Sequence, residues 1–452
     1  MANSLSRLRS LIPPPRAALA ARKAMGKGLR ERVPRRELGT WIVDRRRPHF
    51  VAQLKARVIG RRPQLVPLLW RRMLASPFGF FRGAAALMAS DLGPVPTSGL
   101  EVQVCGDAHL LNFSSQLASG GHLVFDLSNF DETCRGAFEW DLKRLAASLV
   151  VAGRSLGQKD RACAESVRWM VRAFREGLDL FAEMRVLELV RFEISPPGTD
   201  KPLAPIFQSA ARNTPRQLLK KATRPDTEGF ARFQSQPPLF VPLDYAETQV
   251  VLGALKNYRK NGLFARSHEL DAYTPWDLAR KVTGIASVGK DDYVVLLYGN
   301  GAGDPLFLQF TEQAVSCWKP YLKRAKFYAK DYPQQGLRAA QGQLETQTVT
   351  DPFLGFTRMN GKDFLVRQWS DHEESVDLSM TVGETLRDYA ALCGRVLAKA
   401  HAKTGDAAKL AGYCGGGERL DLALARFALA YADQTESDHA RMRRAFRSGL
   451  FA

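Results

Sequence analysis

The 452-residue chain has few of the residues from which zinc sites and disulfide frameworks are built. Its six cysteines include no Cys-x-x-Cys pair, and its seven histidines include no His-x-His or His-x-x-x-His pair. Neither a zinc protein nor a disulfide-stabilised secreted protein is therefore indicated, and a cytoplasmic location is the simplest expectation. The chain also lacks an apolar run of the roughly 18 residues that a membrane helix needs, so we expect no membrane span.

Acidic residues are nearly absent from residues 1–36, which hold ten Lys or Arg and the single acid Glu31. We interpret this stretch as a basic, poorly ordered leader. Over the whole chain the net charge is +19, a field that favours anionic partners such as nucleotides, nucleic acid or acidic lipids. A nucleic-acid-binding protein remains an alternative that rests on charge alone, because the aromatic residues form no interleaved stacking platform.

The hydrophobic pattern divides the rest of the chain into three parts and predicts a mostly helical α+β fold. Apolar residues at spacings of three and four predict a helical lobe over residues 37–279, which also holds two short strands in "LEVQVCG" and "HLVFDLS". Residues 280–370 predict a small antiparallel sheet of five strands with one helix, closed by a hairpin at Asn360-Gly361. Residues 371–452 predict helices that pack on the helical lobe.

Polar residues cluster in "CGDAHLLNF", between the two short strands, and in "FDLSNFDET" after them. Phosphoryl transfer needs a group that orients the acceptor hydroxyl and oxygen ligands for magnesium. We predict Asp107 as the catalytic residue and Asn112, Asp126 and Asp131 as metal ligands. The alternative is that these residues only cap turns, as Asp and Asn commonly do. Asp141, in the first turn of the next helix, either complements the helix dipole or braces the loop of Asp107.

The turn "GIASVGK" has the form Gly-x-Ala-x-x-Gly between two predicted strands, which is typical of a flap over nucleotide phosphates. We predict four nucleotide-binding residues in this turn: Gly284, Ser287, Gly289 and Lys290. An ordinary hairpin remains the alternative, because such a motif is weak by itself. A metallohydrolase built on His109 and Glu132 is a further alternative, which the scarcity of histidine disfavours.

Several stretches together resemble the bacterial family called domain of unknown function 2252, from about residue 30 to the end. They include "RRMLASPFGFFRGAAALMASDLG", "CGDAHLLNF", "FDLSNFDETCRGAFEWDLKRLAASL" and "FLVRQWSDHEES". More distantly, "GDAHLLN" is similar to the catalytic loop of the aminoglycoside phosphotransferase and protein-kinase-like superfamily. "DLSNFDETCRGAFEWDL" is similar to the metal-binding Asp of that superfamily and the helix Asp that follows it. The second resemblance implies a kinase-like core that uses ATP and magnesium.

The order of the motifs differs from that of ordinary kinases. In kinases the glycine-rich lobe precedes the catalytic loop, whereas here the predicted sheet follows it. The stretch "LCGRVLAKAHAK" is similar to the helix that leads into the catalytic loop, yet it comes afterwards. A circular permutation of a kinase-like fold explains both facts.

Two residues depart from the pattern that the resemblance implies. The family usually reads "NDFDE" where this chain has "SNFDE", so Asn129 replaces an acid of the metal pair. A Lys is usual two residues after "LFLQ", where this chain has Thr311; Lys290 or Lys319 could replace that cation. We therefore expect an ATP-dependent phosphotransferase acting on an unidentified small molecule or protein. The alternative is a degenerate kinase-like protein that binds a nucleotide or partner without chemistry.

Overall fold

A computed structural model describes the chain from residue 16 to residue 450 with short gaps. The described residues are 16–43, 47, 50–118, 120–195, 204, 219–220, 222–227, 230–260, 267–282, 284–285, 287–369, 377–381 and 383–450. The mixed α+β class predicted from the sequence is confirmed, since helices predominate and the strands form small antiparallel sheets. No helix in the described part of the chain combines the length and the apolarity required to cross a bilayer.

The N-terminal part consists of helices followed by two short antiparallel ladders. The helices are α1 (Leu19–Gly28), α2 (Phe50–Arg57), α3 (Val66–Leu74), α4 (Pro77–Gly83) and α5 (Ala85–Leu92). Strand β1 (Glu101–Val104) pairs with β4 (Cys134–Ala137), and β2 (Phe113–Leu117) pairs with β3 (Leu123–Leu127). Helix α4 begins where the Ser76 hydroxyl accepts a hydrogen bond from the Gly79 amide at 3.0 Å.

The helix after β4 runs through the centre of the molecule. Helix α6 (Phe138–Ser155) is buried along nearly its whole length, as expected for a helix that is surrounded on all sides. Helix α7 (Asp160–Glu183) packs beside it and is followed by the short α8 (Val186–Arg191). The largest apolar core forms around α6 and α7.

The sheet lobe contains one more strand than predicted and begins earlier. Its helices are α9 (Tyr245–Lys260), α10 (Ser267–Asp271), α11 (Tyr328–Asp331) and α12 (Gln335–Thr346). Beside a two-stranded ladder of β5 (Thr223–Pro225) and β6 (Ala231–Phe233), the main strands are β7 (Phe240–Pro242), β8 (Thr274–Lys281), β9 (Asp292–Tyr298), β10 (Pro305–Gln313), β11 (Gly355–Met359) and β12 (Lys362–Gln368). The main strands form one antiparallel sheet in the order β11-β12-β10-β9-β8-β7.

Residues 240–279 therefore belong to the sheet lobe and not, as predicted, to the helical lobe. Strand β7 has only three residues, too few to show an alternating pattern, and β8 carries a bulge between Pro275 and Asp277. Helix α9 covers one face of the sheet, where its apolar residues contact Leu308 and Phe310 of β10. The other face of β10 carries polar residues and points toward the helical lobe.

The C-terminal helices return to the helical lobe. Helix α13 (Glu384–Thr404) packs on α7, and α14 (Ala407–Cys414) contacts α1 and α7. Helix α15 (Arg419–Arg447) lies along α6 and α7. The chain ends thus complete the core that α6 and α7 begin.

Residues 16–36 differ from the predicted leader, because most of them form α1 and the turns that follow it. Arg22 Nη1 lies 3.0 Å from Asp406 Oδ1, and Arg30 Nε donates to the carbonyl oxygen of Tyr413 at 2.9 Å. Cations are favoured at the carboxyl end of a helix, where Tyr413 lies. Composition could not reveal these partners, which are distant in the sequence. The rest of the predicted leader lies outside the described residues.

A bulky side chain at Gly26 will separate α1 from α14. A Cβ atom on Gly26 would stand 2.0 Å from the carbonyl oxygen of Lys409, whereas a Cβ atom on Gly28 would meet nothing within 4 Å. We expect Gly26→Leu to lower the free energy of unfolding by about 1–3 kcal/mol, as overpacking does. Gly28→Leu is the control and should be neutral or slightly stabilising, since Leu favours helix over Gly. Urea denaturation and limited proteolysis of α1 measure both; equal effects would contradict this packing.

Candidate functional site

A buried carboxylate at the start of α6 fixes the loop that carries Asp107. Asp141 is 1% exposed, and its oxygens accept hydrogen bonds from the amides of Cys105 at 2.8 Å and Gly106 at 2.9 Å. His401 Nε2 of α13 lies 3.2 Å from Oδ2 of the same carboxylate. Charge-assisted bonds of this kind are stronger than neutral ones. Asp141 therefore holds the backbone immediately before Asp107 and connects it to α13.

Gly106 lies between the acidic loop of the helical lobe and the segment that leaves β10. Its φ angle is +82°, and a Cβ atom there would stand 2.2 Å from the carbonyl oxygen of Glu132. Trp318 Nε1, beyond β10, donates to the Gly106 carbonyl at 2.7 Å and stacks on Trp140 with ring centroids 4.2 Å apart. Only glycine fits this position, which joins the two lobes.

Asp107 is a buried carboxylate with one strong partner. Arg144 Nε donates to its Oδ1 at 2.8 Å, and His109 Nε2 lies 4.0 Å from its Oδ2. Burial raises the pKa of Asp107 to about 6 although Arg144 opposes the rise; the nearby Glu132 adds to it. Burial lowers the pKa of His109 well below its usual value, so the imidazole is neutral. At neutral pH Asp107 is ionised and can accept a proton.

Asn112 lies directly beside Asp107 in the same loop. Its side-chain Nδ2 donates to the backbone carbonyl oxygen of Asp107 at 2.6 Å. The backbone carbonyl oxygen of Asn112 accepts from the amide of Ser128 at 3.0 Å. The second bond places the acidic loop that begins at Ser128 next to the loop of Asp107. Both predicted motifs therefore meet in one region.

Asp131 faces the sheet lobe. Its Oδ2 lies 3.3 Å from Lys290 Nζ, and its Oδ1 accepts from Gln313 Nε2 of β10 at 2.9 Å. Burial by itself would raise the pKa of Asp131, but Lys290 and the Gln313 hydrogen bond lower it below its usual value. Asn129, the residue that replaces an expected acid, accepts a hydrogen bond from the Asp131 amide at 3.0 Å. Asn129 thus shapes the turn that presents Asp131.

Asp126 is not placed with the other predicted metal ligands. Its carboxylate is bound by the ammonium of Lys399, which is itself 0% exposed, and accepts from the amide of Thr348 at 3.1 Å. Asp126 belongs to β3, and its position in the strand sends the side chain toward α13. We therefore exclude Asp126 from the candidate metal ligands and assign it to a buried structural ion pair.

The glycine turn between β8 and β9 packs on α3. Ile285 and Val288 are buried in an apolar cluster with Leu69 and Trp70. Within the turn, the amide of Lys290 donates to the carbonyl oxygen of Ser287 at 2.9 Å. The packing of the turn on α3 thus positions Lys290 beside Asp131.

Two further contacts hold the glycines of the turn. The carbonyl oxygen of Gly289 accepts from the amide of Arg62 at 2.7 Å, and that of Gly284 accepts from the Arg72 guanidinium. Both glycines have positive φ angles, +63° for Gly284 and +82° for Gly289. All four predicted nucleotide-binding residues therefore lie in one turn between α3 and the acidic loop.

The two lysines considered as replacements for the cation missing at Thr311 have different positions. Thr311 is buried on the polar face of β10, between the strand residues Gln309 and Gln313. Lys319 is exposed, and its ammonium lies 5.4 Å from the ring centre of Tyr328. Lys290 contacts that loop directly.

The structure adds basic residues that sequence reasoning missed. We call Arg57, Arg61, Arg72 and Arg82 the arginine cluster; they come from α2, α3, α4 and the turn after α2. Arg57 and Arg82 act electrostatically on Asp107, and Arg61 acts with Asp131 and Glu132. One signal could have revealed them: residues 45–90 contain ten Lys or Arg and no Asp or Glu.

The oxygen donors at the site suit magnesium only in part. Within the described ranges, no group of three or more His, Cys, Asp and Glu side chains could hold a metal ion. Asp131 and Asn112 are the donors that remain from the predicted set, and both oxygens of Asp131 already have partners. Magnesium is commonly bound through one or two carboxylates together with substrate phosphates. The residues thus fit a magnesium ion that enters with a nucleotide and do not fit one held by protein alone.

Comparison with known protein families identifies the family of this chain. The model of a family described as "Uncharacterized protein conserved in bacteria (DUF2252)" matches residues 61–445. No curated protein and no solved structure matches the chain. The matched range includes both loops of the site and the whole sheet lobe.

Removal of Lys399 will test whether Asp126 belongs to a structural pair. We expect Lys399→Met to lower the free energy of unfolding by about 3–5 kcal/mol, since it leaves a buried carboxylate without its counter-charge. Chemical denaturation of the wild type and the variant measures this. Arg172→Met, which removes an exposed pair with Glu176, is the control and should leave the unfolding midpoint unchanged.

Proposed function

The chain belongs to the bacterial DUF2252 family, whose description assigns no activity, and from its site we propose a kinase-like, ATP-dependent phosphotransferase. The acceptor is a small molecule or a protein that the site does not identify. The convergence of three segments carries this proposal. The loop of Asp107, the loop of Asp131 and the sheet lobe with its glycine turn all meet around one region, where Lys290 Nζ lies 3.3 Å from Asp131.

The order of elements in the sheet lobe supports a kinase-like arrangement. In protein kinases the phosphate-binding Lys is on the third strand, and the helix that follows carries its Glu partner. Counted from the strand before the glycine turn, β8, β9 and β10 are followed by the short α11 and then by the longer α12. Thr311 then stands on the third strand. Helix α12 contributes Arg338, whose guanidinium donates to the carbonyl oxygens of Asp131 and Thr133, each at 2.7 Å.

The contact between α13 and β1 supports a circular permutation. The amide of Gln103 in β1 donates to Thr404 Oγ1, at the end of α13, at 3.1 Å. Arg135 of β4 donates to the carbonyl oxygen of Thr404 at 2.6 Å. If the chain were reconnected so that α13 ran directly into β1, α13 would precede the loop of Asp107. This is the order that the resemblance implies for a kinase.

In this proposal the residues of the two loops have separate roles. Asp107, held by Arg144, orients the acceptor hydroxyl and accepts its proton. Asn112 and Asp131 would hold the magnesium ion that enters with ATP, and its charge would help to neutralise the phosphates. The glycine turn covers those phosphates. Asp141 keeps the Asp107 loop in position and does not contact substrate.

A nucleotide-binding protein without turnover is the second candidate, and two observations favour it. Thr311 supplies no positive charge on the third strand. Both oxygens of Asp131 already have partners, Lys290 and Gln313. One of these two contacts must break before a metal can bind. The two candidates differ in turnover and agree on nucleotide binding.

Substitution of Asp107 separates these candidates. We expect Asp107→Asn to lower magnesium-dependent ATP turnover by about 10²–10⁴-fold, the range that a positioned base contributes. Nucleotide affinity should change little, because Asp107 faces the acceptor. ADP release and calorimetric titration measure the two quantities. Nucleotide binding by the wild type without turnover would identify the second candidate, and no nucleotide binding at all would exclude both.

The pH dependence of turnover gives an independent test of Asp107. With a pKa of about 6, Asp107 loses its ability to accept a proton as the pH falls. Turnover should therefore decline between about pH 7 and pH 5 with a midpoint near 6. Burial also raises the pKa of Asp292 in β9 to about 6. Asp292→Asn should keep this decline; its disappearance in that variant would assign the titration to Asp292.

A further inference from the structure

We infer that the arginine cluster binds a phosphate group, an inference that rests on the proposed function for the identity of that group. The cluster lies between the glycine turn and Asp107, on α2, α3, α4 and the turn after α2, which precede both in the chain. It supplies positive charge near the site where Thr311 supplies none. A phosphate group is the anion that arginine binds in a bidentate manner and that a phosphotransferase must hold.

One side of the cluster is built into the glycine turn. Arg61 Nη1 donates to the carbonyl oxygen of Val288, and Arg72 Nη1 donates to that of Gly284. The aliphatic stem of Arg61 also lies under Gly289, where a Cβ atom would stand 3.1 Å from Arg61 Cβ. These contacts place two guanidinium groups at the edge of the predicted phosphate flap.

The other side of the cluster is fixed next to Asp107. Arg144, which binds Asp107 through Nε, donates through Nη2 to the carbonyl oxygen of Phe81 at 2.8 Å. The same guanidinium lies 3.8 Å from the centre of the Phe81 ring. Arg82 directly follows Phe81 in the chain. Its backbone therefore adjoins the residue that accepts the hydrogen bond from Arg144. The cluster therefore spans the region from Asp107 to the turn.

Two guanidinium nitrogens in the cluster are buried without a partner. Among the described residues, neither Nε of Arg57 nor Nε of Arg82 has a hydrogen bond, although both atoms are shielded from solvent. A buried donor that lacks an acceptor is energetically unfavourable. A phosphate oxygen would satisfy such a donor, and a second oxygen would bind the adjacent NH₂ group. These two unpaired donors are thus complementary to an anion with several acceptor oxygens.

The charges around the cluster also favour an anion. Burial lowers the pKa of Arg61 to about 10, with a further contribution from Arg57, and burial lowers the pKa of Arg82. Nearby carboxylates offset part of this charge, since Glu312, Asp131 and Glu132 oppose the lowering at Arg61. Two carboxylates of the region already have basic partners, Asp107 with Arg144 at 2.8 Å and Asp131 with Lys290 at 3.3 Å. A bound phosphate group would relieve the repulsion among the arginines.

Inorganic tripolyphosphate, ATP and adenosine are the probes for this site. We expect the wild-type chain to bind tripolyphosphate, with an affinity that falls as salt concentration rises. Arg57→Gln and Arg82→Gln should each weaken that binding at least tenfold. Arg71→Gln is the matched control, because Arg71 is exposed and lies beside Arg72 in α3. Calorimetric titration gives the affinities, and the thermal midpoint of each variant without ligand shows that it is folded.

The probes also distinguish two sources of the phosphate group. Equal losses for ATP and tripolyphosphate, with adenosine binding unchanged, place the nucleotide phosphates on the cluster. Loss of tripolyphosphate binding with ATP affinity retained places a phosphorylated acceptor there. Arg82→Lys keeps the charge but not the paired donors, so an intermediate loss supports bidentate binding.

Two results would overturn the inference. One is tripolyphosphate binding by Arg57→Gln and Arg82→Gln as tight as that of the wild type. The other is an equal loss in Arg71→Gln. Because these titrations need no turnover, a wild-type chain that hydrolyses no ATP would reject phosphotransfer and leave the phosphate site open to the same measurement.

Discussion

The hydrogen bonds from the Cys105 and Gly106 amides to Asp141 are the interaction on which the rest of the site depends. Two backbone amides that are buried at this point need an acceptor, and the chain provides one charged carboxylate for both. The loop has little freedom left once these bonds form. Gly106 is enclosed by Glu132 on one side and by Trp318 on the other, so the sheet lobe is attached to the same loop.

Asp126 and Asp131 differ in how readily their ion pairs can be exchanged for another ligand. Asp126 is enclosed together with Lys399, and neither side chain is more than 1% exposed, so this pair maintains the contact between β3 and α13. Asp131 is paired with Lys290 at the boundary of two lobes, where its side chain keeps 18% exposure. An ion pair at such a boundary can be exchanged for another ligand at lower cost than one in a core. Chemistry is therefore expected at Asp131 and not at Asp126.

Local patterns in the sequence predicted those parts of the fold that depend on near neighbours. The hairpin at Asn360-Gly361 is one, because both residues have the positive φ angles that a tight two-residue turn requires. Docking of α1 was not predictable in this way, since Arg22 and its partner Asp406 are 384 residues apart. The same reason explains why a basic composition suggested a disordered segment.

The structure brings some of the predicted site residues together and separates Asp126 from them. Asp107, Asn112 and Asp131 are brought together, because the two short ladders place their loops side by side. The direction of the Asp126 side chain depends on its position in a strand, which spacing between motifs cannot give. The arginine cluster has no motif, since its members come from separate helices and share only their position in the folded chain.

The contacts of α13 with Asp126 and Asp141 also determine when the site can form during synthesis. Asp141 contacts His401, which lies 260 residues later in the chain. Asp126 pairs with Lys399, which lies 273 residues later. While the ribosome is still synthesising the sheet lobe, α13 has not yet been made. The core around these carboxylates therefore lacks the helix that supplies their partners. Contacts of such long range slow folding and expose incomplete cores to aggregation. The helical lobe therefore cannot complete the surroundings of these carboxylates until α13 has left the ribosome.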